Sequence, residues 1–140
     1  MPIVWSSSYN TGVRSIDLQH QELIEMINAL DAIRGRPIDQ QALGFLMNQL
    51  GQYVVFHFGH EEALMEQIFV PPQFKEEHLK AHAAFTAQVQ AQSSRLLSNG
   101  GAGALDSLVE YLNAWLLNHI KQTDMELAER LNKSRPGRMW

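Results

Sequence analysis

The sequence predicts an all-α fold: an up-down-up-down antiparallel four-helix bundle with an N-terminal arm. Three observations predict it. Apolar residues recur in steps of three and four through four long segments. Clusters of glycine and proline separate those segments. None of the segments alternates with period two, so strands are not expected. With 140 residues, the chain suits a single domain over 1–140, large enough to bury one core.

The elements follow in order. Residues 1–15 form the arm, with Trp5, Tyr9 and Gly12 but no sustained period. Trp5 and Tyr9 are expected to anchor it against the bundle. The first helix runs from near Asp17 to Arg34 on Ile16, Leu23, Ile27 and Leu30, and stops at Gly35-Arg36-Pro37. The second starts at Asp39, a suitable N-cap, and runs to Ile68 on Leu43, Leu46, Leu50, Val54, Leu64 and Ile68. It ends at Val70-Pro71-Pro72. The third covers Gln73 to Leu97 on Leu79, Phe85, Val89 and Leu96, and is closed by Asn99-Gly100-Gly101-Ala102-Gly103. The fourth starts near Ala104 on Leu105, Leu108, Leu112, Trp115 and Leu116 and continues to about Leu131, leaving 133–140 as a tail. Short loops between four such helices make sequential neighbours antiparallel.

Composition removes several function classes. Apolar residues make up 45% and charged residues 19%, ordinary values for a globular chain. A net charge of −4 offers nothing to nucleic acid or to an anionic membrane. The absence of cysteine removes disulfides, thiolate zinc sites and iron–sulfur clusters together. No apolar run approaches the roughly 18 to 20 residues that span a bilayer. The start, Met-Pro-Ile-Val-Trp-Ser-Ser-Ser, lacks the charged and apolar regions of a signal peptide. A cytoplasmic protein with no nucleic-acid or membrane partner is expected, its oligomeric state left open with a monomer favoured.

Polar residues interrupt the apolar stripes at particular places. His20 lies four after Ile16 and three before Leu23; His57 follows Val54 by three, and Glu61 precedes Leu64 by three. His78 and His82 stand in line with Phe85 and Val89, and His119 comes four after Trp115. A buried carboxylate needs a cation or strong hydrogen bonds. Counted from the bundle end that holds the first and third loops, His20, His57, His82 and His119 lie roughly 15, 18, 16 and 15 residues deep. Four histidines on four helices thus share one layer, with Glu61 and His78 about one turn further along. His57/Glu61 and His78/His82 are spaced by four, which puts two donors on one helix face. His119 and Asp124 are spaced by five, roughly 140° apart on a regular α-helix. A π-type bulge or a disturbed turn would bring them together. Seven donors are too many for one ion that must also bind a small molecule, and they suit two. Nitrogen and oxygen donors without thiolate suit iron, manganese or zinc.

At these residues the sequence resembles the bacterial hemerythrins, from Trp5 to about Leu131. The motifs are Ile16-Asp17-Leu18-Gln19-His20, His57-Phe58-Gly59-His60-Glu61-Glu62, His78-x-x-x-His82 and Trp115-Leu116-x-x-His119-Ile120-x-x-x-Asp124. The resemblance implies reversible dioxygen binding at a non-haem centre of two iron ions joined by an oxo or hydroxo bridge. It implies that His78, His82 and His119 hold one iron, His20 and His57 the other, and that Glu61 and Asp124 bridge them. Dioxygen would bind at the two-histidine iron. Leu23, Phe58, Trp115, Leu116 and Ile120 match the family's oxygen-pocket positions, and all five also serve as ordinary core. Phe69-Val70-Pro71-Pro72 departs from the Gly-Tyr-Pro usual at that loop. His60 has no ligand counterpart and is assigned to the surface or to a supporting position. Glu62 is assigned to solvent or to a ligand histidine rather than to iron. A site with only two carboxylates favours binding over oxidase chemistry, and no general acid or base stands beside the ligands. A binder of dioxygen, not an enzyme, is therefore expected, serving carriage, storage, sensing or delivery to a partner protein. The alternative is a di-iron peroxidase or oxidase, or another binuclear metalloenzyme.

Overall fold

A computed structural model describes residues 2–37, 39–99 and 102–135. Gly100 and Gly101 of the third loop, and 136–140 of the expected tail, lie outside them. The described residues are helical, without strands. Helix α1 spans Arg14–Ala32, α2 Gln40–Glu66, α3 Pro72–Asn99 and α4 Ala102–Asn118. A six-residue π-helical segment, His119–Asp124, and then α5, Met125–Ser134, continue α4. Asn118 and Met125 keep helical dihedrals on either side, so α4, the π segment and α5 form one unbroken run. Helix α1 packs on α2 and α4, and α3 packs on the same two, which closes the four runs into a ring. Among the described residues no helix is long and apolar enough to cross a membrane.

Helix boundaries follow local chemistry. Asp39 caps α2 as expected, its carboxylate accepting from the amides of Gln41 and Ala42. Gly35 takes φ +76 at the expected stop of α1. Helix α1 begins three residues before the expected Asp17. Thr11 donates through its amide and hydroxyl to the Asp17 carboxylate, at 2.9 and 2.7 Å, and Gly12 turns the chain at φ +85. Val13 and Ile16 are thereby fully buried. Ahead of this turn, Ile3 exchanges two backbone–side-chain hydrogen bonds with Asn28, and Trp5 and Tyr9 pack against the core.

The core is two apolar clusters. The larger holds Leu23, Leu50, Phe58, Phe85, Leu112 and Ile120 among others. The smaller holds Val13, Ile16, Leu64, Met65, Leu127, Ala128 and Leu131. On three of the four helical runs a buried polar residue marks the change from one cluster to the other. Gln19 and His20 separate Ile16 from Leu23, and Glu61 separates Phe58 from Leu64. Asp124 separates Ile120 from Leu127.

Candidate metal centre

All seven donors expected from the sequence are buried, and they converge. Two overlapping sets of ligand atoms form, each with all members within 4.8 Å of one another. One is Glu61, His78, His82 and His119; the other is His20, His57, Glu61 and Asp124. The π segment brings Asp124 in. Its i→i+5 bonding returns the chain to the same face after five residues rather than four. His119 Nε2 accordingly lies 2.9 Å from Asp124 Oδ1 despite the awkward spacing. Asp124 Oδ2 faces the opposite way, 2.6 Å from His20 Nε2 and 3.7 Å from His57 Nε2. Glu61 Oε1 lies 3.0 to 3.7 Å from Nε2 of His82, His119, His57 and His78.

The angles at these short distances are informative. His57 Nε2, His78 Nε2, His82 Nε2, Glu61 Oε2 and Asp124 Oδ1 are buried with no hydrogen-bond partner among the described residues. Such atoms cost free energy unless something satisfies them. Donors aimed at a common point, rather than at one another, give this pattern. The residues therefore fit metal ions of the nitrogen/oxygen-loving class. Electrostatics agree. Burial alone would push the Glu61 carboxyl up, but the charge of His57 and contacts with Asp124, His119 and His78 hold it well below the ordinary range. Burial and the Glu61 charge also raise Asp124, and His119 outweighs them to leave it lowered. For His119, burial acts downward, yet Asp124 and then Glu61 push it up to about 10.

Supporting contacts hold the outer nitrogens. His82 Nδ1 meets Glu62 Oε2 at 3.0 Å, and His57 Nδ1 meets Gln19 Oε1 at 2.7 Å. Glu62 thus takes the histidine role expected as one of its two options. Gln19 carries no signal of this role in the sequence beyond its place on the inward stripe, three after Ile16 and four before Leu23. His60 reaches away to Ser15 Oγ at 2.8 Å. Burial, and the charge of His57, lower its pKa.

Next to the centre, Leu23, Phe58, Trp115 and Leu116 line a small enclosed apolar cavity with Val54 and Phe85. The Phe58 ring stacks on His82 at 3.8 Å, and Trp115 stacks on His119 at 4.4 Å. Ile120, the fifth expected pocket residue, does not line the cavity and is fully buried in the larger cluster.

Comparison with known proteins agrees with this centre. Residues 11–131 match the hemerythrin HHE cation binding domain. A bacteriohemerythrin of Pseudomonas paraeruginosa is 35% identical over 133 residues, covering 94% of this chain and 83% of that one. A bacteriohemerythrin of Stenotrophomonas maltophilia is 33% identical, covering 92% and 81%. The myohemerythrin of Riftia pachyptila is 27% identical, covering 89% and 90%. No solved structure matches. By its match to the domain and its likeness to these relatives, the chain belongs to the hemerythrin family.

Proposed function

We propose that this protein binds dioxygen reversibly at a non-haem centre of two iron ions. His78, His82 and His119 hold one ion, His20 and His57 the other, and Glu61 and Asp124 lie between them. The observation that carries this reading is the pair of overlapping buried donor sets that share Glu61. Similarity to proteins named bacteriohemerythrin and myohemerythrin supports iron and dioxygen. Two ferrous ions held there would supply the two electrons that dioxygen takes up on binding and gives back on release.

The chain's own residues do the rest. Gln19 and Glu62 fix the rings of His57 and His82, so that Nε2 of each turns to the centre. Leu23, Phe58, Trp115 and Leu116, which line the apolar cavity beside the centre, keep water from it, which slows loss of the bound ligand. One up-down-up-down antiparallel domain delivers these groups. Its support is the reversed order of contacts: Ser15 meets His60 while Gln19 meets His57, and Glu62 meets His82 while Phe58 meets Phe85. Arg34 at the end of α1 likewise bonds Asp106 near the start of α4, at 2.8 Å.

The test is optical. Iron-loaded protein is reduced, exposed to air and then stripped of oxygen while the visible spectrum is recorded. Charge-transfer bands that come with oxygen and leave with it are expected. Bands that form once and stay would favour oxidase chemistry, and no bands at all would defeat the iron assignment.

A further inference from the structure

We propose that metal enters this centre through a polar vestibule between α3 and the π segment, and that His78 is the ligand it meets first. The inference rests on the two-metal reading above. The vestibule, about 200 Å3, is lined by Glu77, His78, Ala81, Gln122, Thr123 and Glu126, together with Phe74. At about 30 Å3 per water it holds several waters, enough to admit a cation with much of its hydration shell. Two carboxylates stand at its rim. Both are exposed, with Glu77 accepting from Gln73 at 3.2 Å and Glu126 from Arg130 at 3.3 Å.

The acidic rim would mean little without His78. That side chain is nearly fully buried, lines the vestibule, and has neither nitrogen hydrogen-bonded among the described residues. Its Nε2 lies 3.7 Å from Glu61 Oε1 and 3.8 Å from Asp124 Oδ1, so Nδ1 is on the edge turned from the centre. The Nδ1 atoms of His57 and His82 are engaged by Gln19 and Glu62; that of His20 is unpartnered among the described residues like that of His78, but His20 does not line the vestibule. One imidazole therefore spans the vestibule and the carboxylates, and a turn of its ring passes a cation inward. The wider turn of the π segment both delivers Asp124 and borders the opening through Gln122 and Thr123.

The neighbouring groove between α2 and α3 also reaches His82. There the Phe58 ring covers His82 face to face and Glu62 occupies its outer nitrogen. That side is closed to an ion seeking a free donor.

The experiment follows uptake of cobalt(II) by metal-free protein in a stopped-flow instrument, reading the ligand-field bands of the bound ion. The Ala81→Leu variant fills the vestibule and is expected to slow uptake roughly ten-fold or more, because entry then needs local opening. The Glu77→Gln/Glu126→Gln double variant should slow it about ten-fold at low ionic strength and little at high salt, as lost steering requires. Ala83→Leu, in the α2–α3 groove, should load at the parent rate. All should finish at the parent's cobalt content. Parent rates in both vestibule variants, or slowing confined to Ala83→Leu, would overturn the route. The double variant changes only exposed side chains, so it decides the matter if Ala81→Leu does not fold. A parent protein that takes fewer than two ions would instead defeat the two-metal reading, whatever the rates.

Discussion

The two sides of the polar layer use the same residue types but differ in number and support. On one side three histidines gather around Glu61; on the other, two histidines gather around Glu61 and Asp124. The three-histidine side is walled by stacked aromatics, Phe58 on His82 and Trp115 on His119. On the two-histidine side, His20 and His57 meet each other edge to face at 4.9 Å. An anionic carboxylate, Glu62, supports the first, and a neutral amide, Gln19, supports the second. In the proposed two-iron centre this asymmetry would leave one ion filled and the other with room for an exogenous ligand. Under the proposed function, the difference between the sides, more than the roll of donors, would decide the side where dioxygen binds.

Removing what the two sides share should have the largest effect. Glu61 belongs to both donor sets. Glu61→Ala is therefore expected to lower iron content from two per chain to near none, measured by elemental analysis after loading. Retention of both ions would break the picture of a shared bridge. Substitutions confined to one side come next. His20→Ala and His119→Ala should each leave fewer than two ions per chain. His20→Ala should lose more, because it removes one of two nitrogens rather than one of three. Equal retention in the two variants would erase the proposed asymmetry.

Protons compete with metal for the same atoms, which gives a third comparison between metal-free and iron-loaded protein. His119 in the fold is pushed up to about 10 from an ordinary 6.5. Its stabilising contribution is therefore complete below about 6.5 and is lost as pH rises through about 10. Glu61 and Asp124 are held low, so their contribution is present above the ordinary carboxylate range and lost as pH falls below it. Melting temperatures of metal-free protein should peak between these limits and fall on the alkaline side. Iron loading should flatten the alkaline fall, since a metal-held Nε2 carries no proton. A metal-free profile already flat from neutrality to pH 10 would contradict the His119–Asp124 pairing.

Much of this arrangement is legible in the sequence because polar residues in an apolar helical stripe cannot be there without cause. His20, His57, Glu61, His78, His82 and His119 all reveal themselves that way, and all are buried. Asp124 did not yield to spacing alone, because its place depends on a π segment. His119–Asp124 contains neither glycine nor proline to mark the change of period. The early start of α1 was hidden for a related reason: Val13 is buried by a tertiary contact, and Thr11 reaches six residues forward to Asp17. Gln19 is not legible in this way, since a neutral amide beside a histidine carries no buried charge to be explained. Ile120 shows the converse limit, where an apolar position on the right stripe packs in the core without touching the cavity.

The gentlest test of the asymmetry lies one contact away from the metal. Glu62→Gln exchanges an anionic acceptor for a neutral one at a half-exposed site, where the amide oxygen still accepts from His82. Gln19→Leu removes the acceptor of His57 at a buried site, where water does not readily replace it. Loss of such supports weakens metal binding by about 10- to 100-fold, with Gln19→Leu expected near the top of that range and Glu62→Gln near the bottom. Competition against a chelator of known affinity reads both. The reverse order would mean that the charge on Glu62, rather than the burial of Gln19, governs how firmly the layer holds its metal. In that case the three-histidine side would depend on its support more than the two-histidine side does, and the difference between them would be electrostatic at root.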